Sequence, residues 1–171
     1  MRRKIIYLLA IIGLFAVGCN DVDDGDPANP ITLYEKVNGE WNIASLKMTD
    51  EFAKANAIEP SEQDLSALFN YENFKIAFHV DDKMQPTSYA VLGDVPPLFA
   101  ASGYWQLSLP FQQTNASATR IFLYSDAQKT HQTDELLLTS VPGSNNEMEI
   151  KLVRVSDGTP FVSYTFKLTR N

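Results

Sequence analysis

From residue 74 to residue 168 the chain falls into short runs in which apolar and polar residues alternate, and no helical pattern separates them. Phe74, Ile76, Phe78 and Val80 alternate with Lys75, Ala77, His79 and Asp81, the period of a strand with one buried face. Residues 88–93 follow, then Trp105, Leu107, Leu109 and Phe111, then residues 120–125, 135–141, 148–155 and 162–168. Polar turns such as Gly143-Ser144-Asn145-Asn146 and Ser156-Asp157-Gly158 join them. Parallel strands need long crossovers, and none is present, so the pattern requires an antiparallel meander. Met148, Ile150 and Leu152 share one face before Val153 and Val155 take over, which predicts a β-bulge.

Residues 39–48 add a further strand at the front, which makes eight. Ile31, Leu33, Tyr34 and Val37 have near-helical spacing between Pro30 and Gly39, and predict a short helix over 31–37. Residues 61–69 predict another. Ser61 and Asp64 read as a capping box, with Leu65, Leu68 and Phe69 on one face. Eight antiparallel strands with one oily face close into a barrel or split into a sandwich. Closure removes exposed edges, and a barrel of this size fills with side chains or admits one small ligand. The expected fold class is therefore all-β: an eight-stranded antiparallel meander barrel, with a short N-terminal helix and a helical insertion between strands 1 and 2.

The chain starts differently. Arg2, Arg3 and Lys4 precede an apolar run over residues 5–17, followed by Gly18 and the single cysteine, Cys19. The run is shorter than the roughly 20 residues of a membrane-spanning helix, and the arrangement is that of a secretory signal peptide. The Ala16-Val17-Gly18-Cys19 stretch resembles the lipobox of bacterial lipoproteins. That resemblance implies cleavage after residue 18 and lipidation of Cys19. Two or more acyl chains give stable anchoring, so the membrane becomes a partner through this residue. Residues 19–30 carry four aspartates, two prolines and no large hydrophobe, and are expected to form a solvated tether. Their aspartates lack the twelfth-position glutamate of an EF-hand calcium loop. An acidic run after the cysteine resembles the export signal of Bacteroidota-type surface lipoproteins, which implies an outer-membrane anchor and a cell-surface location, with the periplasmic face as the alternative. The expected domains are a signal peptide over 1–18, a tether over 19–30 and a barrel over 31–171.

Charge narrows the partners. The whole chain has 14 Lys and Arg against 21 Asp and Glu. Removing the leader's three cations leaves a net charge of about −10. Nucleic-acid affinity comes largely from cations on phosphates, so no nucleic-acid partner is expected.

Gly39-x-Trp41 after a short helix resembles the opening motif of the lipocalin family. The resemblance implies that Trp41 plugs the closed end of the barrel and that Arg170, just past the last strand, packs across its ring. It also implies that the segment 50–70 lies over the open end. Gly103-Tyr104-Trp105 repeats the motif; a second lipocalin motif and a C-terminal helix are missing. The outline is thus most similar to lipocalin-like domains of unknown function in Bacteroidota-type lipoproteins.

Catalytic machinery is hard to assemble from these residues. A serine hydrolase needs a base beside its nucleophile, and the two histidines stand alone. His79 alternates with the oily face of its strand, and His131 lies in the polar stretch 128–132. Neither has zinc-ligand spacing. The paired carboxylates Asp81-Asp82, Asp134-Glu135 and Glu147/Glu149 read as solubilising charges rather than as a glycosidase pair. No catalytic residue, metal or cofactor is expected. The aromatic-rich stretch 96–105 offers the one candidate ligand surface: Phe99 and Tyr104 could form a platform for a sugar ring, or Phe99 could plug the barrel end. Two functions remain open: non-catalytic binding of a small ligand or glycan, and a filled-barrel structural or protein-interaction module accessory to an outer-membrane complex.

Overall fold

The computed structural model describes residues 30–112 and 118–170. The leader, Cys19 and the acidic tether lie outside the described residues. Residues 31–171 form one compact unit. Its elements are α1 (Leu33–Val37), β1 (Gly39–Asp50), α2 (Glu51–Ala55), β2 (Glu62–Asp64), a 3₁₀ turn (Tyr71–Asn73), β3 (Lys75–Val80), β4 (Pro86–Leu92), β5 (Ser102–Leu107), β6 (Thr119–Tyr124), β7 (Gln132–Ser140), β8 (Glu147–Ser156) and β9 (Thr159–Thr169).

Each strand from β3 to β9 pairs antiparallel with its neighbour in sequence, and β1 pairs with both β3 and β9. The sheet therefore closes into an eight-stranded antiparallel barrel, with β2 as a ninth strand attached to β1. Closure gives every strand of the ring a partner on both sides. β1 carries a register shift between Ile43 and Ser45. The extra residue resets the alternation, so that Trp41 and Ile43 before it, and Leu46 and Met48 after it, all serve the interior. In β8 the register shift falls between Arg154 and Val155, at the end of the stretch where the pattern predicts a bulge. Asp157 (φ 49°) and Gly158 (φ 78°) form the two-residue turn between β8 and β9, the left-handed pair that a tight hairpin requires.

The interior is filled. Trp41, Trp105, Tyr89, Phe78, Phe166 and a set of Leu and Ile side chains are less than 2% exposed. Trp105 meets Phe78 at 4.9 Å and Tyr34 at 5.6 Å between ring centroids, and its indole N–H donates to the His79 carbonyl at 2.9 Å. Such aromatic pairs contribute about 1 kcal/mol each beyond the area they bury. Gly103 lets β5 approach β6, since a Cβ there would collide with the Tyr124 carbonyl.

α1 closes one end. Thr32 caps it in a full capping box with Glu35, and Leu33, Tyr34 and Val37 are buried. Trp41 sits beneath, its N–H donating to the Val37 carbonyl at 2.8 Å. The Arg170 guanidinium lies 4.8 Å from the Trp41 ring centroid and donates to the Asn38 carbonyl at 2.7 Å.

Two sequence expectations need correction. Residues 61–69 are not helical. The β1–β3 ladder stops at Asn42, which leaves one edge of upper β1 without a partner. β2 fills that edge, pairing Gln63 with Met48, and the Leu65 amide adds a bond to the Leu46 carbonyl at 2.8 Å. Asp64 turns instead onto the Ser66 amide at 2.8 Å. Backbone pairing outweighs the capping pattern. The helix of this insertion is α2, which Asp50 caps by accepting from the Ala53 amide at 2.8 Å. It lies on the barrel wall, where Glu51 accepts from Ser163 of β9 (2.6 Å) and pairs with Lys151 of β8 (3.0 Å). The second correction is β5, which ends at Leu107. Leu109 and Phe111 are exposed loop residues, 42% and 44% accessible.

Candidate functional site

The end opposite α1 is the mouth, formed by residues 51–74, 93–101, 125–131 and the β8–β9 turn. The loop 93–101 is pinned over it by side chains from three directions. The Tyr71 hydroxyl donates to the Pro96 carbonyl at 3.1 Å, Arg154 Nη2 donates to the Leu98 carbonyl, and the Tyr89 hydroxyl donates to the Ala100 carbonyl at 3.0 Å. Gly93 (φ 105°) opens the loop; a Cβ there would strike the Asn73 carbonyl. Phe99 turns into the barrel, 7% exposed, with its ring 6.1 Å from that of Phe166.

Beneath the loop lies an inward-facing ion pair. Leu136 and Leu152 are cross-strand partners with buried side chains, and two residues further along each strand come Asp134 and Arg154. Their side chains meet at 2.7 Å, with that of Asp134 9% exposed. Asp134 is therefore not the solubilising charge that its sequence position suggests. It holds the arginine that holds the loop. Burial, and then the Asp134 charge nearby, push the Tyr89 hydroxyl up to about 12, which keeps it a donor to the loop.

Two apolar hollows flank Tyr71. One, of about 150 Å³, lies between the 3₁₀ turn, β4 and the loop, and includes Phe74, Val91, Val95 and Phe99 in its lining. The other, of about 350 Å³, lies at the mouth among Met48, Leu65, Phe69, Tyr71, Leu98 and Tyr164. Phe69 is 67% exposed and meets Tyr71 edge-on at 6.5 Å between centroids. Phe69 (φ 55°) and Asn70 (φ 63°) are consecutive left-handed residues. At Phe69 that conformation costs on the order of 1 kcal/mol, so the ring is held in water against both backbone preference and the hydrophobic effect.

The structure does not bring Phe99 and Tyr104 together. Tyr104 alternates with the buried Trp105 and lies half-buried on the outer wall of β5, across from Ser88 and Tyr124. His79 is exposed on the outside of β3. His131 braces a turn: Thr130 Oγ1 (2.9 Å) and Asp126 Oδ2 (3.3 Å) both approach its Nδ1. A nucleophile–base–orienter chain needs both ring nitrogens, and this arrangement uses one. Glu147 and Glu149 lie on the solvent side of β8, and Asp81 accepts the amides of Lys83 and Gln85 in the β3–β4 turn. Among the described residues no group of three His, Cys, Asp or Glu converges as a metal site.

Sequence reasoning passed over the Asp134–Arg154 pair, although a signal existed. Asp134 extends the inward series Leu136, Leu138, and Arg154 extends Met148, Ile150, Leu152; opposite charges at the ends of neighbouring oily faces form a pair.

The fold and its mouth define a small meander β-barrel whose interior is occupied by its own side chains. The chain belongs to the DUF5004 family, a domain of unknown function, whose family model matches residues 18–169. No curated protein matches the chain.

Proposed function

We propose that this protein is a lipid-anchored, non-catalytic interaction module, tethered through Cys19 to the outer membrane, exposed at the cell surface, and engaging a partner at the barrel mouth. The observation that carries this reading is the contrast between a barrel filled with its own side chains and a mouth that holds apolar surface in water. The leader's charge pattern and the residues before Cys19 support the anchor. The acidic stretch 20–30 supports export. Twelve tether residues reach at most about 40 Å, enough to clear a headgroup layer.

A second reading, a small-ligand or glycan binder, is favoured by the hollow of about 350 Å³, which falls at the lower end of ligand-pocket volumes.

Two measurements test the proposal. Palmitate labelling is expected on the native chain and lost in Cys19→Ser; label that persists refutes the anchor. A photo-reactive residue in place of Phe69 is expected to give a discrete protein adduct in the expressing cells, and the same residue in place of Tyr104 none. Adducts of small-molecule mass from position 69 would instead establish the second reading.

A further inference from the structure

Charge is distributed unevenly between the two ends of the barrel. The mouth segments 51–74, 93–101, 125–131 and 157–158 hold eight carboxylates and two lysines, and of these carboxylates Glu51 pairs with Lys151 and Glu62 with Lys47 on the adjoining strands. The closed-end segments 31–38, 81–85, 108–112 and 141–146, with Arg170, hold three carboxylates and three cations. Both mouth lysines are engaged. Lys54 lies 3.8 Å from Glu62, and Lys129 donates to the Pro86 carbonyl at 2.9 Å. Glu72, Asp94 and Asp157 face solvent with no cation beside them among the described residues. The apolar hollow lined by Phe69 and Tyr71 thus adjoins carboxylates at Glu72 and Asp94 that no cation neutralises among the described residues.

From this complementarity we infer that the mouth docks a cationic segment of another protein, which seats an apolar side chain in the hollow and lays lysine or arginine over the surrounding carboxylates. The inference rests on the reading of the domain as an interaction module. A second copy of this chain fits poorly, because mouth-to-mouth contact would oppose like charges at Glu72 and Asp94. Nucleic acid and anionic lipid are repelled for the same reason. A small molecule within the hollow would leave the Phe69 ring largely wet, whereas a polypeptide laid across the mouth covers it.

The test uses residues 31–171, which contain the whole closed barrel and its core, so that failure of the lipid anchor leaves it untouched. The probe is a fluorescein-labelled twelve-residue peptide of alternating lysine and phenylalanine, with its glutamate–phenylalanine counterpart as control, followed by anisotropy. The lysine peptide is expected to bind and the glutamate peptide not to. Raising NaCl from 0.05 to 0.5 M, Phe69→Ser, and the pair Glu72→Lys with Asp94→Lys are each expected to weaken binding about tenfold. The closed-end pair Asp81→Lys with Asp82→Lys is expected to leave it unchanged. No binding, equal binding of the glutamate peptide, or equal sensitivity to the closed-end pair would overturn the inferred partner chemistry while leaving the cross-linking test of the module intact. Concentration-dependent dimers in sedimentation that vanish in Phe69→Ser would overturn it in favour of a second copy.

Discussion

The Arg170 guanidinium covers the face of Trp41 at 4.8 Å from its centroid, and so joins the end of the last strand to the start of the first. Gly39 makes room, since a Cβ there would stand 3.3 Å from Arg170 Nη1, and its φ of 119° disfavours any side chain. Removing the arginine in Arg170→Ala deletes both the ring contact and the bond to Asn38. The expected loss is about 1–2 kcal/mol in urea unfolding, with Arg170→Lys restoring part of it.

Asp134 and Arg154 should behave as a unit. Asp134→Ala leaves a partly buried guanidinium without its counter-ion, and about 2–3 kcal/mol of stability should go with it. The apolar double variant Asp134→Leu with Arg154→Met should recover most of this, while hydrogen exchange of loop 93–101 stays fast because the Leu98 carbonyl has lost its donor. Recovery of slow exchange would show that the loop does not depend on the arginine.

Gly103 is predicted to be intolerant of any side chain. Gly103→Ala forces β5 away from the Tyr124 carbonyl, and overpacking of this kind costs about 1–3 kcal/mol. The melting temperature of the variant measures it, with Gly143→Ala, in an open loop, as the neutral control.

Acid should loosen the β6–β7 turn. Desolvation raises the Asp126 carboxyl, but hydrogen bonds from the Thr130 and His131 amides and side chains overcome it and hold the group at about 2, below its ordinary 3.8. The folded state then binds fewer protons than the unfolded one between those values. Its contribution is complete above about pH 4 and is lost as pH falls through about 2. Thermal melts of Asp126→Asn should lie below the native chain at pH 6 and converge with it at pH 2.

At the alkaline end the sign reverses. Tyr89 ionises near 10 when unfolded and at about 12 when folded, so its contribution is complete below pH 10 and declines as pH rises towards 12. Tyr89→Phe should flatten that limb of the stability profile.

The eight strands of the ring and their antiparallel order were legible in the sequence, as were the oily faces of β3 and β8, because a period of two is written residue by residue into an antiparallel sheet. The residues that meet across the closed end, Gly39, Trp41 and Arg170, were legible only through resemblance. Tertiary structure decided the rest. Residues 61–69 follow local rules for a helix, yet the open edge of β1 draws them into a strand and turns. Phe99 and Tyr104 are near in sequence and stand on opposite sides of the barrel wall, because Phe99 points inward from the covering loop and Tyr104 alternates with the inward Trp105 on β5. Asp134 reads as a solubilising charge until closure of the sheet aims it inward onto Arg154. Alternation along one strand is a local property; which edges remain unpaired, and which charges are shut away from water together, depends on how distant strands come to lie side by side.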